Sequence, residues 1–302
     1  MLTSQILNAI DYFSLFKYAP DVNQIHIFIK AKIARQEVET VLGRLVRQKK
    51  LVQMKREGVK LASQYYKSFN FLPDVYTRRE YQNTFNFQRS TSQNTIQKLE
   101  KTRMYIKLLS FFPQIKLIGI SGSVAMMNAK EEDDIDLFIV TQKDRLWTGR
   151  MIAILLAELL RKRRRYGDKS ARDKICLNLF FDEKDLAISA VKRSEYVAHE
   201  VMQMKPVVTK GEIYKRFLDA NRWVFDIFPN ARKKRYNIEH ITYHKYMFHV
   251  LCYMLYPVTS LLEPILKKSQ LQSINRHRTT ELITDSQLWF FPDDFEKKMK
   301  ES

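Results

Sequence analysis

Apolar residues recur at helical spacing in three short stretches near the start of the chain, residues 3–18, about 21–30 and 35–48. Val38, Val41, Leu42 and Leu45 mark the buried stripe of the third. Next, LVQMKREGVKLA at 51–62 sets two short alternating segments around Arg56-Glu57-Gly58, the pattern of a hairpin. Residues 63–94, rich in Tyr, Asn, Gln and Ser, carry no sustained apolar stripe and read as a connector, partly helical. Helical spacing returns from about Ser92 to Phe111 and stops at Pro113. The β-branched run IKLIGIS (115–121) predicts a strand, VAMMNA one or two helical turns, and DDIDLFIVT a second strand. A helix over about Leu146–Arg164 and a third strand at ICLNLFF (175–181) follow. Beyond residue 190, VAHEVMQMKPVV and YKRFLDANRWVFDIF have amphipathic spacing, and an apolar helix runs to about Leu266. The pattern divides the chain into 1–62, a 63–94 connector, 95–190, and a helical region with tail over 191–302, where Trp289, Phe290 and Phe291 suggest a docking segment.

Three helices and a hairpin resemble a winged helix. In such domains the third helix commonly enters the major groove while the hairpin touches the backbone. The candidate nucleic-acid contacts are then Arg44, Arg47, Lys49, Lys50, Lys55 and Arg56, and a basic protein–protein module is the equal alternative.

Charge adds weight to a polyanionic partner. Fifty-two Lys and Arg against 33 Asp and Glu give a formal charge of +19, which favours DNA or RNA without choosing between them. The two cysteines, Cys176 and Cys252, sit in apolar runs without C-x-x-C spacing. They argue against a disulfide framework or structural zinc and fit a reducing cytoplasm, as does the lack of a recognisable export signal. The apolar stretches Met151–Leu160 and Met247–Leu262 fall short of a spanning helix, which needs about 20 apolar residues; the first carries Glu158 and the second His249 and Pro257. No membrane partner is expected.

The chemistry gathers at the centre of the chain. Asp134 and Asp136, two residues apart on a strand, project from one face while Ile135 and Leu137 turn inward. Carboxylates this close repel, and a divalent cation removes the cost. Hard oxygen ligands suit Mg²⁺, or Mn²⁺, bound together with substrate phosphates. Gly122-Ser123, between strand and helical turn, offers backbone that phosphate can approach without a Cβ in the way, and a hydroxyl.

In this order, GISGSVAMMNAKEEDDIDLFIV resembles the signature of polymerase-beta-like nucleotidyltransferases: Gly-Ser, about ten residues, then Asp-h-Asp-h. The likeness covers roughly residues 95–190. It implies an α/β fold with a mixed sheet, two metal ions, and transfer of a nucleoside monophosphate from a nucleoside triphosphate. By that likeness Gly122 and Ser123 hold phosphate, and Asp134 and Asp136 hold metal and are catalytic. The family carries a third acid on a later strand, where this chain has Asn178 at the matching position and Asp182 as the rival. The two lie about 13 Å apart along an extended strand, so only one can belong to the site. An Asn offers a carbonyl oxygen but no base at neutral pH, which leaves a catalytically weak, nucleic-acid-binding regulator as the alternative function.

Lys174, opening the third strand, is the expected phosphate contact. The RKRRR run at 161–165, with Lys169 and Arg172, reads as a solvated or polyanion-facing surface. His240 and His244 lack a third ligand at metal spacing, and the aromatics of 65–87 read as packing rather than base-stacking groups. The acceptor, the nucleotide and the oligomeric state are not legible.

Overall fold

The computed structural model describes residues 2–55, 74–81, 86–165, 167–168, 170–233, 256–276 and 278–290. Arg56, the predicted turn at 56–58, Lys169, His240, His244, Cys252 and Phe291 lie outside the described residues.

The three N-terminal helices form where the spacing places them, as α1 (Leu2–Ser14), α2 (Val22–Phe28) and α3 (Arg35–Arg47). Asp21 starts α2 with a capping box, accepting from the Gln24 backbone N–H at 3.0 Å while the Gln24 side chain accepts from its own at 2.9 Å. Strand β1 (Leu51–Lys55) is also as predicted, but its partner is not the segment just beyond Arg56-Glu57-Gly58. It pairs antiparallel with β2 (Asp74–Arg78), inside the stretch read as a connector. DVYTR has the period-2 burial of a strand, with Val75 and Thr77 inward, too short a signal among the polar residues around it to mark a boundary.

The rest is a mixed α/β assembly. Helix α4 (Asn86–Ser110) leads into β3 (Ile115–Ile120), the single turn α5 (Gly122–Ala125), β4 (Ile135–Thr141), α6 (Leu146–Leu159) and β5 (Ile175–Asp182). Then follow α7 (Glu195–Gln203), β6 (Lys205–Thr209), α8 (Ile213–Ala220), α9 (Trp223–Ile227), α10 (Tyr256–Asn275), β7 (Leu282–Ile283) and β8 (Gln287–Trp289). Six strands make one mixed sheet in the order β6-β3-β4-β5-β8-β7, and only β4–β5 is parallel, joined through α6.

The sheet therefore does not end at residue 190. The run KPVV, with its preceding residues read as one helix, divides at Met204 into α7 and the wholly buried β6, whose Pro206 is tolerated because β6 is an edge strand. The tail returns as β8, and Trp289 is buried against Phe181 with ring centroids 5.3 Å apart. Nor is the N-terminal segment separately cored. One hydrophobic cluster runs from Ile10, Phe28 and Leu42 to Leu117, Phe138 and Phe181 on one face of the sheet. The other face, with Ile118, Ile139 and Phe180, packs against α4 and α6. No helix among the described residues is long and apolar enough to cross a membrane.

Candidate active site

The site forms where β3 ends and β4 begins, because antiparallel pairing brings the Gly122 turn beside Asp136. The Ser121 N–H donates to the Asp136 carbonyl at 3.0 Å, holding the two chain segments together. Gly122 has φ +62, and a Cβ there would overlap Oδ2 of Asp136, with Cγ at 3.3 Å. Glycine is required twice, by the left-handed backbone and by the carboxylate alongside it.

Asp134, Asp136 and Cys176 bring one ligand atom each to within 4.8 Å of one another. Cys176 reaches them because β5 runs parallel to β4 with Cys176 opposite Asp136. A register shift then carries the pairing to Phe138 and Leu179, and the irregularity lets Asn178 meet the same carboxylate: its amide donates to Asp136 Oδ1. Arg164 forms an ion pair with Asp134. Burial, then the charges of Asp134 and Glu200, push the Asp136 carboxyl well above the usual carboxylate range, against a smaller downward pull from Arg164 and the Asn178 amide. Burial, then Asp136 and Asp134, also push the Cys176 thiol up and keep it protonated.

Ser123 and Asp133 hold the loop between α5 and β4. The Ser123 hydroxyl donates to Asp133 Oδ2 at 2.8 Å, and that oxygen also accepts the Lys130 N–H at 2.9 Å. Beneath the loop, buried Lys98 on α4 donates to the carbonyls of Glu131 (2.8 Å) and Asp133 (2.7 Å) and to Asp173 Oδ1 (3.1 Å). The hydroxyl expected to hold phosphate thus has a structural partner, and Lys98 fixes the approach to Asp134.

Two other expected contacts lie elsewhere. Lys174 forms an ion pair with Asp168 at 2.7 Å and does not line the central cavity. Asp182 stands at the opposite end of β5, facing Thr141, and accepts from the backbone of Asp144 (2.7 Å) and Lys184 (2.9 Å). Of the two rivals for the third position, only Asn178 reaches the paired aspartates.

Glu200 is the residue sequence reasoning passed over. Four of its neighbours on α7, Val197, Ala198, Val201 and Met202, are buried and apolar, yet Glu200 itself lines the cavity and accepts from the Gly122 backbone N–H. Burial raises its carboxyl to about 7. Its only sequence signal was a carboxylate on an otherwise apolar helical stripe. Arg164, read as surface, is the other omission.

These groups share a cavity of about 1200 Å³. Leu15, Phe16 and Lys17 at the end of α1 form part of its wall, and the Asn128 amide fastens that turn by donating to the Phe16 carbonyl at 2.8 Å. From α3 to the end of β1, Arg44, Arg47, Lys49, Lys50 and Lys55 are exposed; Arg44 donates to the Thr3 hydroxyl at 3.2 Å. The two aspartates suit a hard divalent cation, whereas a neutral thiol does not, so the fit to Mg²⁺ or Mn²⁺ rests on the carboxylates. Comparison with family models, with curated proteins and with solved structures finds no match for this chain.

Proposed function

We propose that this chain is a metal-dependent nucleotidyltransferase with a polymerase-beta-like fold, moving a nucleoside monophosphate from a nucleoside triphosphate to an acceptor. The observation that carries the reading is the approach of Gly122 to Asp136. A side-chain-free backbone turn beside paired carboxylates, at the wall of a large cavity, is what a metal-bound phosphate needs. Asp134 and Asp136 would hold Mg²⁺ or Mn²⁺, which supplies charge neutralisation at the transferring phosphoryl group.

The chain's own groups then divide the remaining work. Asn178 orients the Asp136 carboxylate through its amide, and Gly122, having no Cβ, lets that carboxylate close against the backbone turn. Glu200, held near neutral pKa in the same cavity, takes the proton of an acceptor hydroxyl as that oxygen bonds to the α-phosphorus and pyrophosphate leaves. It thereby fills the acid's role that Asn178 cannot.

One observation favours a second reading. Asp134 and Asp136 are already satisfied by Arg164 and Asn178, a pattern that also suits a protein with little turnover. In that case the winged-helix-like N-terminal unit is the working part, binding DNA or RNA through Arg44, Arg47, Lys49 and Lys55.

The test is incubation with each labelled nucleoside triphosphate, Mg²⁺ or Mn²⁺, and RNA, DNA, protein and small-molecule acceptors, comparing the parent with Asp136→Ala. Product that depends on Asp136 supports transfer. Its absence under every condition, with salt-sensitive nucleic-acid binding that survives Asp136→Ala, supports the regulator.

A further inference from the structure

The cavity is not confined to the face that carries Asp134 and Asp136. β8 pairs with β5 from Leu179 to Phe181, the Phe290 N–H continues the edge by donating to the Asn178 carbonyl at 2.9 Å, and Arg163 bridges to Ile175 at the other end. Between these two points the cavity is lined by residues from both faces of β5. Asn178 lines it on the side of the aspartates, and Leu177, whose side chain packs with the core under α6 and α10, lines it on the other.

Arg150, projecting from α6, lines that second lobe together with Ile154, Leu177 and Phe290. Its guanidinium lies 5.0 Å from the centre of the Phe290 ring. Nη1 donates to Gln270 Oε1 at 2.5 Å, and Gln270 in turn donates to the Trp147 carbonyl at 2.8 Å. The buried Nε has no hydrogen-bond partner. No carboxylate among the described residues pairs with Arg150. The charge acting on it most is that of Arg163, which has its own partner in Glu158 at 2.8 Å. Burial, then repulsion from Arg163, lowers the Arg150 pKa to about 10. A half-buried arginine whose Nε is buried, next to another cation and with no carboxylate among the described residues to pair with, is costly unless something brings the opposite charge. The other arginines of this wall have theirs: Arg163 and Arg165 share Glu158, and Arg164 has Asp134.

We propose that Arg150 anchors a second binding subsite, one that takes an oxyanion, phosphate or carboxylate, carried on an apolar or aromatic body. The planar fork of the guanidinium matches either oxyanion, and Ile154, Leu177 and Phe290 supply the apolar wall. Only one extension rests on the transfer reading: the ligand of this lobe is then the acceptor, an anionic small molecule reaching toward Asp136.

The experiment uses the full chain without nucleotide or metal, and three probes of one shape: phenyl phosphate, benzoate and the uncharged benzyl alcohol, titrated calorimetrically. The parent should bind at least one anion about tenfold or more tighter than the alcohol. Whichever anion binds tighter identifies the group recognised. Arg150→Gln should abolish that preference, and Arg150→Lys, which keeps the charge but loses the fork, should weaken it several-fold; melting temperatures check that each variant folds. Should Arg150→Gln fail to fold, the Arg150→Lys result decides. Equal affinity for anion and alcohol, no binding of any probe at millimolar concentration, or unchanged anion binding in both Arg150 variants would overturn the proposal. Because none of these readouts needs transfer, a subsite without transferase activity and transfer without this subsite are separate outcomes.

Discussion

The carboxylate of Asp136 occupies the space into which any side chain at Gly122 would grow. A backbone turn and a candidate metal-ligand carboxylate on the next strand are thereby held as one surface. Gly122→Ala sets a Cβ against that carboxylate and an L-residue at φ +62. It should cost about 1–3 kcal/mol of stability, read by urea unfolding, and displace Asp136 enough to weaken Mn²⁺ binding. Parent-like values for both would show that the close approach has no consequence.

Asn178→Asp tests what the neutral amide contributes. It places a third carboxylate beside Asp136, where burial, then Asp134 and Glu200, already raise the pKa. Without metal at neutral pH the variant should be less stable than the parent, through like-charge repulsion. With Mn²⁺ it should gain more in melting temperature than the parent does, because the added ligand binds only the folded state. Differential scanning fluorimetry with and without the ion gives both signs.

Glu200 makes the metal-free protein pH-sensitive. Its folded value is about 7, against about 4.3 in an unfolded chain. The folded state therefore holds this proton more tightly. The stabilisation is fully present below about 4.3 and is lost as pH rises toward 7. Glu200→Gln, which keeps an acceptor for the Gly122 N–H, removes this contribution to the slope. Unfolding midpoints of variant and parent should diverge with increasing pH across that interval and run parallel above it; a constant difference would refute the assignment.

Lys98 is buried with its three ammonium hydrogens matched to two loop carbonyls and Asp173. Lys98→Met leaves all three acceptors short of a donor, at about 3–5 kcal/mol. Denaturant unfolding measures the loss. If enough protein stays folded, its Mn²⁺ affinity should also fall, since the loop before Asp134 has lost its anchor.

The exposed cations of α3 give a salt-dependent prediction. If Arg44 and Arg47 neutralise phosphates, replacing both with Ala should reduce the slope of log affinity against log salt by about 2 for duplex DNA. Fluorescence anisotropy across a salt series reads the slope directly, and an unchanged slope removes these two residues from any interface.

Local features of the chain determined much of this protein. Helical spacing marked α1, α2 and α3 nearly to their ends, and short apolar runs marked β3, β4 and β5, because burial of one face writes its period into the sequence. Gly122, Asp134 and Asp136 were legible as well, since a left-handed turn and a two-residue strand repeat are local constraints. What was not legible depended on partners distant in sequence. β2, β6 and β8 are short segments whose strand character comes from the neighbours they hydrogen-bond, and for β8 that neighbour is β5, more than a hundred residues earlier. The fate of each charged group was decided the same way. Asp133 took the Ser123 hydroxyl, Asp168 took Lys174, and Asp182 turned to the far end of its strand. Glu200 and Arg164 came into the site from elements that carry no motif. A sequence states which groups a chain owns; whether a charge is paired, buried or left facing a cavity depends on distances that exist only once the sheet has closed over its two cores.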